Sequence, residues 1–109
     1  MVDKNKLRHA SVIRNTKETS INLNITVDGS GKSDICCPLG FWSHMLSLFS
    51  FFGRFDIVLK ATGDVYVDDH HLVEDMGICF GQAFNKALGD RKGITRFGFI
   101  VIPMDETLI

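Results

Sequence analysis

The chain has 109 residues, 45% of them hydrophobic and 23% charged, enough apolar material for one small core and too little length for two complete domains. Lys and Arg number 12 against 13 Asp and Glu, a net charge of -1, so neither a basic face for nucleic acid nor a polyacidic tail is expected. The longest apolar stretches, such as Phe97 to Pro103, fall far short of the roughly 20 residues of a membrane span, Met1 to Arg8 is polar rather than signal-like, and the three cysteines lack metal-ligand spacing, so a cytoplasmic protein with reduced thiols and no membrane partner is expected.

Residues 1–12 are mostly polar and read as a frayed arm, in which His9 is a solvated side chain rather than a ligand. Ile21, Leu23, Ile25 and Val27 alternate with Asn22, Asn24 and Thr26, the period of a half-buried strand, before Asp28-Gly29-Ser30-Gly31 turns the chain. A short strand from Asp34 to Cys37 is placed to pair back as a hairpin, and Pro38 and Gly40 end it. Phe41, Met45, Leu48, Phe49 and Phe52 then recur as the stripe of an amphipathic helix that Gly53 stops.

Alternation returns at Phe55, Ile57, Leu59 and Ala61, Gly63-Asp64 marks a turn or bulge, and Val65-Tyr66-Val67 reads as a further strand. Asp68 and Asp69 are placed to cap a second helix, whose stripe of Leu72, Met76, Cys79, Phe80, Ala83, Phe84, Ala87 and Leu88 continues until Gly89. The nearly continuous apolar run from Phe97 to Ile102 suits a central strand covered on both sides. This order predicts an α+β fold, a two-layer α/β sandwich in which a mixed sheet carries two helices on one face.

Thr16-Lys17-Glu18-Thr19-Ser20-Ile21 is echoed by Met104-Asp105-Glu106-Thr107-Leu108-Ile109, with Glu, Thr and Ile in register, as when a structural unit restarts. On that reading residues 1–12 are the arm, 13–92 the first α/β repeat, and 93–109 the first strand of a truncated second repeat.

The strongest chemical signal is Asp69-His70-His71-Leu72-Val73-Glu74-Asp75. On a helix His70 and Glu74 stand one turn apart on one face, while His71 points about 100° away toward a different ion. Imidazoles with a carboxylate suit zinc, iron or manganese, and Asp68, Asp69 and Asp75 are available to orient the rings. The bland alternative is a pair of exposed histidines at a helix start. His44, on an otherwise apolar helix, adds a third imidazole where an unpaired ring would be costly. Arg14 and Glu18 are expected to project from one strand face, where they either line a site or form a solvated edge. Arg96 is either an oxyanion clamp or an ordinary strand-end cation.

From about Arg14 onward the chain resembles the imidazoleglycerol-phosphate dehydratases. The match rests on Arg14-x-Thr16-x-Glu18-Thr19, Gly40-Phe41 with His44-Met45-Leu46, Gly63-Asp64, Asp69-His70-His71-x-x-Glu74-Asp75, Ala87-Leu88-Gly89-Asp90, Gly93-Ile94-x-Arg96-Phe97-Gly98 and Pro103-Met104-Asp105-Glu106. The resemblance implies a duplicated dehydratase fold of which this is one half, assembled through trimers into a large homo-oligomer. It further implies dehydration of imidazole glycerol phosphate to imidazole acetol phosphate in histidine biosynthesis, at two manganese ions with ligands from both halves and from neighbouring subunits. Carried over, Glu18 is the acid/base, Arg96 with Arg14 holds the substrate phosphate, and His44, His70 and Glu74 serve one ion while His71 serves the other, a partition taken from helix spacing.

Three departures qualify that likeness: Ser43 replaces the family's usual Asp, Phe52 a frequent His, and no second His-His-x-x-Glu motif or downstream phosphate-binding lysine is present. A lone chain is therefore expected to be inactive or very weak. The alternative is a non-catalytic metal-binding or interaction remnant of the same fold.

Overall fold

The computed structural model describes residues 7–109. Strand β1 (His9–Asn15) pairs antiparallel with β2 (Thr19–Thr26), so that Val12 stands opposite Leu23. Strand β4 (Asp56–Gly63) pairs antiparallel with the other edge of β2, Leu59 opposite Leu23, and β3 (Ser33–Cys36) runs parallel to β4 with Ile35 opposite Leu59. The sheet is therefore mixed, in the order β1-β2-β4-β3, and period-2 alternation sends Ala10, Val12, Ile21, Leu23, Ile25, Ile57, Leu59 and Ala61 to one buried face. Helix α1 (Gly40–Gly53) links β3 to β4, and helix α2 (His70–Leu88) follows β4; both contribute to that same core, α1 through Leu46. No helix among the described residues is long and apolar enough to cross a membrane.

Helix α2 lies across β1, β2 and β4 and buries Leu72, Met76, Cys79, Ala83 and Ala87, spaced at intervals of three and four residues. Burial also pushes the Cys79 thiol above its ordinary pKa, which suits a reduced, inert side chain. Phe84 of α2 meets Phe55 and Phe49 edge-on at centroid separations of 5.3 and 6.0 Å, which ties α1 and the start of β4 to α2. Asp56 secures the loop before β3 by accepting the backbone N–H groups of Ser30, Gly31 and Lys32 at 2.8, 3.1 and 3.0 Å. These three bonds hold its carboxyl below the usual carboxylate range.

Several sequence expectations are corrected. Residues 9–12 of the supposed frayed arm form most of an edge strand, its register fixed by seven pairs with β2; the first six residues of that arm lie outside the described residues. The strand near Asp34 to Cys37 does not fold back on β2 as a hairpin, because the place beside β2 is taken by β4. Val65-Tyr66-Val67 is an exposed turn closed by Val67 N–H donating to the Asp64 carbonyl at 2.8 Å, not a strand. Phe97 to Ile102 is not a covered central strand: Phe97 and Phe99 are 90% and 92% exposed, and pairing begins only where Ile102 meets Ile109. Beyond it, β5 (Pro103–Met104) and β6 (Thr107–Leu108) form a small hairpin turned by Asp105 in the left-handed region, φ 49°. Helix α1 ends on Arg54 rather than Gly53 in the left-handed conformation, φ 57°, with the Arg54 N–H donating to the Phe51 carbonyl.

Candidate functional site

The site begins where β4 runs out and α2 starts. The Asp68 carboxylate accepts the His70 backbone N–H at 2.8 Å, satisfying one of the donors a helix start leaves free, whereas the Asp69 side chain makes no capping bond. The next two side chains diverge as helical geometry requires. His70 Nε2 lies 3.0 Å from Glu74 Oε2 on one side, and His71 Nδ1 lies 2.7 Å from Asp64 Oδ2 on the other. Their rings stay neighbours, 5.6 Å apart and nearly perpendicular. The hydrogen bond to Asp64 raises the His71 pKa above its ordinary value, and the negative charges of Asp64, Glu18 and Asp68 reinforce this against a smaller opposing effect of desolvation.

Glu18 approaches the His71 side from the turn between β1 and β2. Its carbonyl accepts the Asp64 N–H at 3.1 Å, and Thr16 Oγ1 accepts the N–H groups of Glu18 and Thr19 at 3.1 and 3.0 Å, so the turn is held by its own hydroxyl. Thr19 Oγ1 in turn donates to Asp75 Oδ2 at 2.6 Å, fastening the turn to α2. An open cleft of about 330 Å³ lies beside Glu18, Asp64, Lys17 and Tyr66, while His70, Glu74, Asp69 and Val73 border a separate hollow of about 440 Å³. His70 thus borders the second hollow directly, whereas His71 is linked to the first only through Asp64, which lines it.

Other expected site residues sit differently. Arg14 does not share a strand face with Glu18: it is on the inner face of β1, with Nε 3.2 Å from Asp75 Oδ1, while Glu18 is in the turn beyond the strand. Asp75 is consequently engaged by Thr19 and Arg14 and orients neither histidine. His44 is exposed rather than enclosed by apolar neighbours, because α1 turns its Leu46 and Ser50 face to the core. Ser43 donates to the Leu39 carbonyl at 2.9 Å within its own helix. Arg96 is exposed on the extended segment before β5. Among the described residues no three His, Cys, Asp or Glu side chains gather closely enough to hold a metal, so His44 does not join His70 and Glu74 within one chain.

Asp64 is the site residue that sequence reasoning read only as a turn. Its proximity to His71 depends on β4 ending beside α2, which no local spacing announces; the Gly63-Asp64 pair was the available signal.

Residues 37–109 match the family model described as Imidazoleglycerol-phosphate dehydratase. Proteins named imidazoleglycerol-phosphate dehydratase from Caldicellulosiruptor bescii, Thermodesulfovibrio yellowstonii and Bacillus subtilis are 55%, 57% and 52% identical over 102 residues, covering 94% of this chain and 53% of each relative. The crystal structure of imidazoleglycerol-phosphate dehydratase from Staphylococcus aureus subsp. aureus N315 superposes with a TM-score of 0.77 at 37% identity, over 92% of this chain and 53% of that one. The chain thus spans about half the length of the curated relatives it matches.

Proposed function

Because this chain belongs to the imidazoleglycerol-phosphate dehydratase family, we propose that it supplies one part of the active site of a hydro-lyase that converts imidazole glycerol phosphate to imidazole acetol phosphate in histidine biosynthesis. The observation that carries the proposal is the divergence of His70 with Glu74 from His71 with Asp64, beside a turn that brings Glu18 to the same helix start.

The donor set fits manganese as a partial shell. His70 Nε2 and Glu74 Oε2 converge on one side, and His71 keeps Nε2 free of any protein hydrogen bond among the described residues. Two donors and one donor do not complete two ions, so the remaining ligands would come from further chain segments and from neighbouring subunits of a homo-oligomer. When bound, the two ions supply Lewis acidity to the substrate imidazole.

The chain's own residues do the rest. Elimination removes the proton from C2 of the glycerol chain and the hydroxyl from C3, which leaves as water once protonated; the C2 enol that remains gives up its hydroxyl proton and gains one at C3 to become the ketone. Glu18 borders the open cleft and is placed to hold or deliver a proton at its carboxylate oxygens. The Thr16 hydroxyl and the Asp64 N–H fix the backbone on either side of that carboxylate, so its reach is set before substrate arrives. Arg96 offers a guanidinium to the substrate phosphate, and Arg14 braces Asp75 instead of sharing that duty. The second reading is a non-catalytic metal-binding or interaction remnant, and of its two forms only the interaction one agrees with the absence of a three-donor cluster among the described residues.

The test is elemental analysis and a dehydration assay on the chain, alone and mixed with a separately produced remaining half of the Caldicellulosiruptor bescii relative in manganese. Dehydration on mixing, with metal content lowered in His71→Ala, is expected; persistent inactivity with no bound metal would establish the remnant.

A further inference from the structure

Asp64 occupies a junction. Its N–H holds the Glu18 carbonyl at 3.1 Å and its Oδ2 lies 2.7 Å from His71 Nδ1, so one residue contacts both the turn bearing the carboxylate and the helix bearing the imidazole. The preceding residue explains how strand and helix come so close: a Cβ on Gly63 would meet Leu72 Cβ at 3.1 Å and Thr19 Cγ2 at 3.4 Å. The end of β4 is therefore seated between α2 and β2, with little freedom to slide against either.

The Asp64 side chain is 11% exposed, and its second oxygen, Oδ1, is buried without a protein hydrogen-bond partner among the described residues. Leaving a buried carboxylate oxygen unpaired is unfavourable, so Asp64 is poorly explained as a residue serving stability alone. An ionised carboxylate has no proton to donate, hence His71 donates through Nδ1–H and the neutral ring is bare at Nε2.

We propose that Asp64 is a positioning residue that fixes His71 in the Nδ1–H tautomer, leaves its bare Nε2 available to an incoming metal ion, and holds the Glu18 turn in register with it. The metal part rests on the reading of His71 as a ligand given under Proposed function; the tautomer part does not.

The test uses the full chain without metal, with the imidazole nitrogens observed by 15N NMR at rising pH until the His71 shifts reach their high-pH plateau, where the ring is neutral. In the wild type His71 is expected to carry its proton on Nδ1 by about tenfold over Nε2, the preference of a charge-assisted hydrogen bond. Asp64→Ala should revert to the distribution of free histidine, and Asp64→Asn, whose amide can donate to Nδ1 as readily as accept from it, should also lose the strong Nδ1–H preference. Thermal melts of all three establish that the fold is kept. Manganese titration of the complemented assembly should then weaken by about tenfold or more in Asp64→Ala and in Asp64→Asn. A wild-type ring protonated mainly on Nε2, or the same tautomer ratio in wild type and Asp64→Ala, overturns the proposal. Tautomer control without any manganese binding upholds the positioning role of Asp64 and counts against the metal reading alone.

Discussion

The two helices carry similar apolar stripes and meet opposite fates. Helix α2 presses Leu72, Met76, Cys79 and Ala83 into the sheet until each is fully enclosed, whereas α1 buries Leu46 and Ser50 and leaves Phe41 and Phe52 about three-quarters exposed, at 77% and 75%. Both stripes have the helical period, but only α2 has three strands beneath it; α1 lies chiefly against the short β3. Periodicity therefore announces a helix with an apolar side, while the partner that covers that side is set by topology.

The sharpest way to break this contrast is a pair of truncations read by urea denaturation. Met76→Ala should cost about 2–5 kcal/mol, as for a fully enclosed side chain, whereas Phe52→Ala should stay within about 0.5 kcal/mol. Equal losses would mean that the stripe of α1 is covered in solution by another surface.

A smaller effect sharpens the account of how α2 is seated. Gly63→Ala places a methyl against Leu72 and Thr19 and should cost about 1–3 kcal/mol through overpacking, with the largest chemical-shift changes at Leu72, Thr19 and His71. Next, Thr19→Val removes the 2.6 Å bond to Asp75 and should cost about 1–2 kcal/mol, measured by the same denaturation.

The sheet edge remote from the site gives the smallest expected change. Asp28 receives Arg8 side-chain donors at 2.7 and 3.0 Å, and this pairing, with the Arg8 backbone N–H, lowers its carboxyl to about 2. A lowered folded-state pKa stabilises the fold above the unfolded value near 3.8 and loses that contribution as pH falls through about 2. Because the pair is exposed, the contribution is below about 1 kcal/mol. The stability difference between wild type and Asp28→Asn should be constant above pH about 5 and shrink toward zero at pH about 2.

Much of the fold was legible, and the failures have physical causes. Ile21 to Val27, Ile57 to Ala61 and the α2 stripe announce themselves because each repeats its period several times with polar residues between. Strand β1 offers only Ala10, Val12 and the inward Arg14, one small and one charged, so its alternation is faint. Phe97 to Ile102 has the composition of an enclosed strand without neighbours to enclose it. In the site, the His70 and Glu74 pairing follows from four-residue spacing, since a helix makes it local. The Asp64 and His71 contact, the inward turn of Arg14 and the exposure of His44 all depend on how elements meet, and no spacing along the chain encodes them.

Whether the Glu18 turn and the start of α2 act together in the proposed elimination is read from the dehydration rate of Glu18→Gln in the complemented, manganese-loaded assembly. A fall in kcat of about 100-fold or more with manganese content unchanged is expected; a variant that dehydrates its substrate at the wild-type rate would remove Glu18 from the reaction.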